Sequence, residues 1–356
     1  MEHAARGNYE AAEILRGLLL AERPVSQPAA EEPGAQARDA VRARFRVAVG
    51  VCTARRPRMF RHCLEALGAQ ILPTGAELHI VVADNEAQPN NRRRVERFAA
   101  RCPFTVHYVH EPRRGIPQAR NAVLKKCRQL DVDWIAFTDD DCWASPIWLE
   151  GLMGSAARHN ADVVYGRREL LFPLPSPFRV GRREPAGYED GQSLPFASTH
   201  NVLFAARLVD LGTLPGLQFD ERLAHGEDTD FFHRAALRGA RIVYAREPVV
   251  LETVAPERAT LNYQARRAYH YGASRSRFRW RYKGVAGAAR ELAGRFLLQA
   301  PVALARLFTA LLVWPFSTWA FKLLVLKGTA RLAGAAGAAA GLLGLDGNPY
   351  DSIDGY

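Results

Sequence analysis

Between Phe45 and Glu247 the chain alternates between two hydrophobic periods. Short, densely apolar runs rich in β-branched residues read as strands buried in a sheet: "FRVAVGVC" (45–52), "AELHIVVADNE" with its apolar part ending at Asp84, "FTVHYVHEP" (104–112), "VDWIAFTDDD" (132–141) and "ADVVYGRRE" (161–169). The segments between them space their apolar residues as helices do: "MFRHCLEALGAQ" (59–70), "NNRRRVERFAARC" (90–102), "IPQARNAVLKKCRQL" (116–130) and "SPIWLEGLMGSAARHN" (145–160). Pro117 sits near the start of the third helix; in the fourth, Ser145 is of capping type and Pro146 suits the first helical position. A strand and a short helix follow over 196–212, then a loop, a helix and a strand over 219–247. This alternation predicts an α/β fold with a mostly parallel central sheet covered on both faces, and an active site at the carboxyl ends of its strands.

The flanks differ. Residues 1–24 predict an amphipathic helix without a signal-peptide pattern, and 25–40 a linker or loose surface segment, so the folded body is expected to start near Arg44. From Leu171 to Gln192 periodicity gives way to Pro, Arg and Gly, which predicts a long loop that forms a lid or receives an acceptor. Residues 266–295 hold nine basic side chains against one acid, Glu291, with Tyr269, Tyr271, Phe278, Trp280 and Tyr282 interleaved. The apolar segment that follows has an uncharged stretch of 15 residues, Leu307 to Phe321, which contains Pro315. A straight spanning helix needs roughly 20. Two readings fit: a spanning helix whose flanking Arg306 and Lys322 snorkel, or a helix or re-entrant hairpin lying in one leaflet. The small-residue run "LAGAAGAAAGLLG" (332–344) is expected to pack against this segment. The predicted division is an N-terminal helix and linker (1–43), an α/β body (44–262), a basic aromatic segment with hydrophobic helices for membrane association (263–346), and a loose tail (347–356).

Charge narrows the partners. Against 37 Asp and Glu stand 48 Lys and Arg, a net +11, which calls for an anionic partner: nucleic acid, an anionic membrane surface or a phosphorylated substrate. The apolar segment directly after the basic aromatic stretch favours the membrane, so no nucleic-acid partner is expected. The five cysteines form no CxxC pair and are odd in number, which predicts reduced thiols in a cytosolic compartment. No HExxH, GxxxxGK[ST], GxSxG or zinc-finger spacing occurs.

Three consecutive carboxylates, Asp139, Asp140 and Asp141, end the fourth strand. Adjacent carboxylates repel and resist desolvation, so something positive should lie among them. One reading is a site for Mg2+ or Mn2+, with Asp139 and Asp141 dividing the work between the ion and a sugar or ribose hydroxyl. The other is a solvated loop before a helix, whose dipole favours acids. Asp84 ends another strand and can hold ribose hydroxyls or a base edge; Thr53 and Arg55, just past the first strand, can reach the same crevice. Arg120, followed by Asn121 in the third helix, either balances the acids or faces solvent. "HGEDTDFFHRA" sets Glu227, Asp228 and Asp230 before an apolar helix. Capping accounts for one acid, Asp228 by type; a general base for a hydroxyl nucleophile accounts for the surplus.

In order and spacing, "VAVGVCTARRPRMFRHCLEAL", "IVVADNE", "EPRRGIPQARNAVL", "WIAFTDDDCWASPIWLEGL", "GRRE" and "FDERLAHGEDTDFFHRA" resemble, over roughly Phe45 to Tyr271, the family 2 glycosyltransferases of the GT-A fold, and among them bacterial succinoglycan-type exopolysaccharide glucosyltransferases. The resemblance implies a GT-A nucleotide-sugar-binding domain over 44–262. It implies inverting, Mn2+- or Mg2+-dependent transfer from a nucleoside diphosphate sugar, a UDP-sugar, to a hydroxyl of a lipid-linked or glycan acceptor. The place implied is the cytoplasmic face of a bacterial inner membrane, peripheral or single-span; a homo-oligomer is compatible with it. Asp84 would meet the uracil or its ribose, Thr53 and Arg55 the base pocket, and Arg120 and Asn121 the diphosphate. Asp139 and Asp140 would serve the donor, and Asp139 and Asp141 the metal, with Asp141 as direct ligand. Asp228 would be the catalytic base, with Glu227, Asp230 and His200 supporting it or meeting the acceptor. The QxxRW pattern of processive synthases is absent in its plain form, since "RFRWRYKG" has the wrong spacing, which favours addition of one sugar. Two rivals stand beside this. A metal-dependent nucleotidyltransferase would want a Gly-rich phosphate loop that "CTARRPRMF" lacks, and a non-enzymatic, membrane-associated binder of anionic polymer would leave the acids without a common purpose.

Overall fold

The computed structural model describes residues 45–171, 187–209 and 216–345; the expected N-terminal helix, linker and tail, and most of the expected lid loop, lie outside the described residues. The body contains β1 (Phe45–Thr53), α1 (Pro57–Gly68), β2 (Ala76–Asp84), α2 (Arg92–Ala99), β3 (Thr105–His110), α3 (Ile116–Leu130), β4 (Trp134–Asp139), β5 (Cys142–Ala144), α4 (Trp148–His159), β6 (Val163–Leu171), β7 (Asn201–Ala205), α5 (Glu227–Leu237) and β8 (Ile242–Thr253). The strands form one sheet in the order β3-β2-β1-β4-β7-β6-β8-β5. β3, β2, β1 and β4 are parallel, as are β6 and β8; β7 opposes both β4 and β6, and β5 opposes β8. The mostly parallel sheet is as expected, with two reversals that strand–helix alternation does not reveal.

Pleating explains why the central strands read as unbroken apolar runs. Val47, Val49 and Val51 face one core with Phe60, Leu64, Phe98 and Trp148 from α1, α2 and α4. Ala48 and Val81 face the other, with Val123, Leu124, Phe231 and Phe232 from α3 and α5. Alternate residues thus bury on opposite faces, and both faces are covered.

Two residues separate β4 from β5, yet three strands lie between them in the pairing order. In a flat sheet they would stand about 19 Å apart, four spacings of about 4.8 Å. The steps from Asp139 to Cys142 span about 11 Å at most, so the sheet must curl. The curl falls where the β6–β8 register jumps, Gly166 pairing with Ala245 but Arg167 with Val249. Fully buried Asn201 pins it: its Nδ2 donates to the carbonyls of Arg167 (2.7 Å) and Pro248 (2.9 Å), while its Oδ1 accepts from Trp148 Nε1 (2.8 Å). These bonds satisfy carbonyls at the irregularity in the ladder. The expected Ser145 cap is corrected. Pairing of β5 with β8 keeps the chain extended to Ala144, α4 begins only at Trp148, and Ser145 Oγ is buried without a hydrogen-bond partner among the described residues.

Beyond β8 come α6 (Leu261–Ala293), a π-helical turn (Gly294–Gln299), α7 (Ala300–Val313) and α8 (Thr318–Leu343). The basic aromatic segment is therefore helical apart from a break at Gly284 (φ 62°), where α6 turns back so that Arg275 reaches Glu291 at 3.0 Å, and the expected boundary at 262/263 falls inside the first turn of α6. The stretches Leu261–Val313 and Thr318–Leu343 each contain a window long and apolar enough to cross a membrane, by length and composition. The uncharged stretch of the sequence understated this because the helices continue past Arg306 and Lys322. The small-residue run packs on α6, not only on the apolar segment: Gly337 and Gly341 lie against the carbonyls of Tyr269 and Ala273, and Gly272 against that of Gly334. A Cβ at Gly337 would overlap the Tyr269 carbonyl. Gly337→Leu should therefore part α8 from α6 and cost about 1–3 kcal/mol, seen as a lower Tm and faster proteolysis of the C-terminal helices. Gly294→Ala, where a Cβ would meet nothing within 4 Å, should change neither.

Candidate active site

The parallel register sets the site. Thr53 pairs with Asp84 and Cys52 with Asp139, so β1, β2 and β4 end within a residue of one another and their last polar side chains share one edge. That is the edge where open α/β sheets bind ligands.

The positive charge demanded by the three carboxylates is present. Asp140 accepts from Thr53 Oγ1 (2.9 Å) and Arg56 Nη1 (3.0 Å). The same Arg56 nitrogen donates to Asp141 Oδ2 (3.0 Å), which Arg258 Nη1 also reaches at 3.0 Å. Arg258 lies 3.3 Å from Glu252 Oε1, and Arg168 donates to the other Glu252 oxygen at 2.7 Å. A chain of alternating charge, Arg168–Glu252–Arg258–Asp141–Arg56–Asp140, thus runs from the outer strands across the carboxylate turn to β1. Burial pushes Asp140 up to about 6, with Asp141 adding to the shift and Arg56 opposing it. Burial also pulls Asp141 upward, but Arg258 and Arg56 outweigh it and hold this carboxyl below its ordinary range. Asp139 differs from both. Its side chain is 42% accessible, against 5% and 4% for Asp140 and Asp141, and its one ion pair among the described residues is to Arg120 at 3.8 Å. Two acids are sunk and neutralised; one is open to the crevice.

On the facing helices, buried Arg120 of α3 pairs with buried Glu227, the first residue of α5. Its guanidinium also lies over the Phe219 ring, 5.5 Å from the centroid. The preceding Gly226 has φ 77°, a left-handed value suited to glycine, and it rather than Asp228 holds the N-cap position; this corrects the expected cap. Burial pushes Glu227 up to about 7, Arg120 pulling the other way and Asp228 adding to the rise. Asp228 is half-buried; its Oδ1 accepts from the Thr229 N–H (2.6 Å), and no hydrogen bond among the described residues engages its Oδ2.

The other expected site residues have structural partners of their own. Asp84 has no exposure and accepts from Asn91 N (2.9 Å), Asn91 Nδ2 (3.1 Å) and Tyr108 OH (2.8 Å), so it anchors α2 and β3 in this arrangement. Asn121 exchanges two 2.9 Å bonds with the Phe219 backbone, which fixes the loop before α5. Asp230 accepts from Arg234 (2.8 Å), Arg281 (3.2 Å) and Tyr282 (2.6 Å), and so fastens α6 to α5. His200 is buried with its Nε2 3.2 Å from Tyr165 OH. Arg55 is exposed at the rim, its N–H donating to Glu86 (2.9 Å), while Thr53 is buried beneath Asp140. Sequence reading missed Arg56, Arg258, Glu252 and Arg168. "TARRP" does not say which arginine turns inward, and nothing in "APERAT" points to acids so far back along the chain.

Among the described residues no group of three or more His, Cys, Asp or Glu side chains is placed to hold a metal unaided. The candidate donors, open Asp139 and buried Asp141, are all oxygen. They suit a hard divalent ion completed by phosphate oxygens and water, the usual state of Mg2+ beside a phosphorylated substrate.

Comparison with known proteins agrees. The succinoglycan biosynthesis protein ExoM of Rhizobium meliloti (strain 1021) is 34% identical over 242 residues, which are 64% of this chain and 74% of that protein. The mannosyltransferase PcManGT from Pyrobaculum calidifontis, solved in complex with GDP-Man and Mn2+, has a TM-score of 0.55 at 19% identity, over 99% of this chain and 97% of that one, so the two share a fold. S. aureus TarS matches at a TM-score of 0.48 and 17% identity, over 83% of this chain and 55% of that chain. The family described as Glycosyl transferase family 2 matches residues 48–210, which run from β1 past β7 and include the whole carboxylate turn. With a relative of this identity and strand ends that carry these acids, the chain belongs to glycosyl transferase family 2.

Proposed function

We propose that the protein moves one sugar from a nucleoside diphosphate sugar, a UDP-sugar, to a hydroxyl of a lipid-linked or glycan acceptor, with inversion and with a divalent ion. The observation that carries this reading is the division of labour around the crevice: an open Asp139 at the strand ends, arginines beside it, and an accessible carboxylate, Asp228, at the start of α5. Mn2+ or Mg2+, held by Asp139 and Asp141, would supply charge neutralisation to the diphosphate leaving group. Arg56 and Arg120 add fixed positive charge at the same edge. Asp228 takes the proton from the acceptor hydroxyl as that oxygen attacks the anomeric carbon opposite the diphosphate, so an α-linked donor gives a β-linked product. Glu227, locked to Arg120, positions the start of α5. ExoM, named for succinoglycan biosynthesis, supports an exopolysaccharide acceptor, and the GDP-Man and Mn2+ of PcManGT support a nucleotide-sugar donor with metal.

The C-terminal helices support membrane association, which this reading puts at the cytoplasmic face. Leu297, Leu298, Phe308, Leu311, Leu312, Trp314 and Trp319 are exposed, and Phe316 in the turn between α7 and α8 is 88% exposed. Such a patch on a protein surface marks a membrane or protein contact, and the basic α6 beside it suits an anionic leaflet. The test is product release from UDP-, GDP- and TDP-sugars with and without metal. Turnover of a UDP-sugar that EDTA removes and Mn2+ or Mg2+ restores is expected; metal-independent turnover of every donor would overturn the reading.

A further inference from the structure

We propose that Arg258 is an internal counter-cation for Asp141: it competes with the divalent ion for that carboxylate, and once displaced it leaves its charge beside the diphosphate. The inference rests on the metal-dependent transfer reading above. Arg258 and Arg56 both sit 3.0 Å from one oxygen of Asp141, a side chain only 4% accessible. A divalent ion at that oxygen would place two further charges against two guanidinium groups in a dry setting, where like charges repel strongly. One cation has to leave. Arg258 is the one with somewhere to go, because it is already shared with Glu252 at 3.3 Å. Arg56 is held between Asp140 and Asp141.

The tether of Arg258 gives the arrangement a second meaning. It lies in the short 3-10 turn Pro256–Ala259, immediately before Thr260, whose hydroxyl caps α6 by accepting from Tyr263 N (3.3 Å). Buried Gln264, in the first turn of α6, donates to the Arg258 carbonyl at 2.7 Å. The basic helix α6, beside the apolar surface, therefore fixes the backbone of a residue that reaches the carboxylates.

The test separates metal from nucleotide. Mn2+ binding to the full chain is followed by electron paramagnetic resonance without nucleotide, and UDP binding by calorimetry at saturating Mn2+. Arg258→Gln should tighten Mn2+ about tenfold and weaken UDP about tenfold, a coupling of ordinary size for two ligands of one group. Arg258→Lys, which keeps the charge but loses the fork, should tighten Mn2+ by about threefold and leave UDP within about twofold of wild type. A purely structural arginine would move both affinities in the same, weaker direction. Unchanged or weaker Mn2+ binding in either variant overturns the proposal. Wild-type protein that binds neither Mn2+ nor UDP overturns the transfer reading itself.

Discussion

Asp228→Asn should lower turnover with a UDP-sugar by about a thousandfold, the middle of the range for loss of a general base, while UDP affinity in Mn2+ stays within about twofold. The geometry chooses between the two adjacent acids. Glu227 is buried against Arg120, so it can neither meet an acceptor nor accept a proton without breaking that pair. Asp228 is half-buried and keeps its Oδ2 out of every described hydrogen bond. The amide of the variant still has an oxygen to accept from the Thr229 N–H, so the first turn of α5 survives and the loss is chemical. A residual rate within tenfold of wild type would place the base elsewhere. Loss of UDP binding would make Asp228 a donor ligand.

What the sequence revealed and what it hid differ in range. The strands of the body were legible because burial on both faces makes each a continuous apolar run, and their carboxyl-end polar residues were legible because the runs stop there. Family membership, resting on the same segments, sets aside the nucleotidyltransferase and the binding-protein readings. Hidden were the features that depend on a partner distant in sequence. The curl between β4 and β5 is decided by the β6–β8 register and by Asn201, neither of which marks the carboxylate turn itself. Asp84 and Asn121 have structural partners that one dimension does not show; in three, Tyr108 and Phe219 supply them. Arg258 shows the reverse case, a residue that looks like an ordinary surface arginine until the chain after β8 brings it over the acids.

Arg120→Leu should destabilise the fold by about 3–5 kcal/mol at pH 8, the usual cost of leaving a buried charge without its partner, and by clearly less at pH 5. Arg120 is 7% accessible and so is Glu227, so water cannot replace the lost partner. Asp139, 3.8 Å from Arg120 but 42% accessible, can turn to solvent. The pH dependence follows from Glu227. Its pKa is raised from 4.5 to about 7 in the folded protein, by burial first and against the pull of Arg120. Its contribution to stability is therefore fully present below the unfolded value and is lost as pH rises through the folded one. Removing Arg120 raises the folded value further. At pH 5 the acid is protonated in both proteins and misses the guanidinium little; at pH 8 only the wild type holds it ionised beside a cation. Denaturant titrations at both pH values measure the difference. The double variant Arg120→Leu/Glu227→Leu should recover most of the stability at pH 8, because an apolar pair can replace a buried ion pair, and should recover none of the transfer. A penalty equal at both pH values would show that Arg120 acts through its contact with the Phe219 ring and its aliphatic stem, with the ion pair incidental.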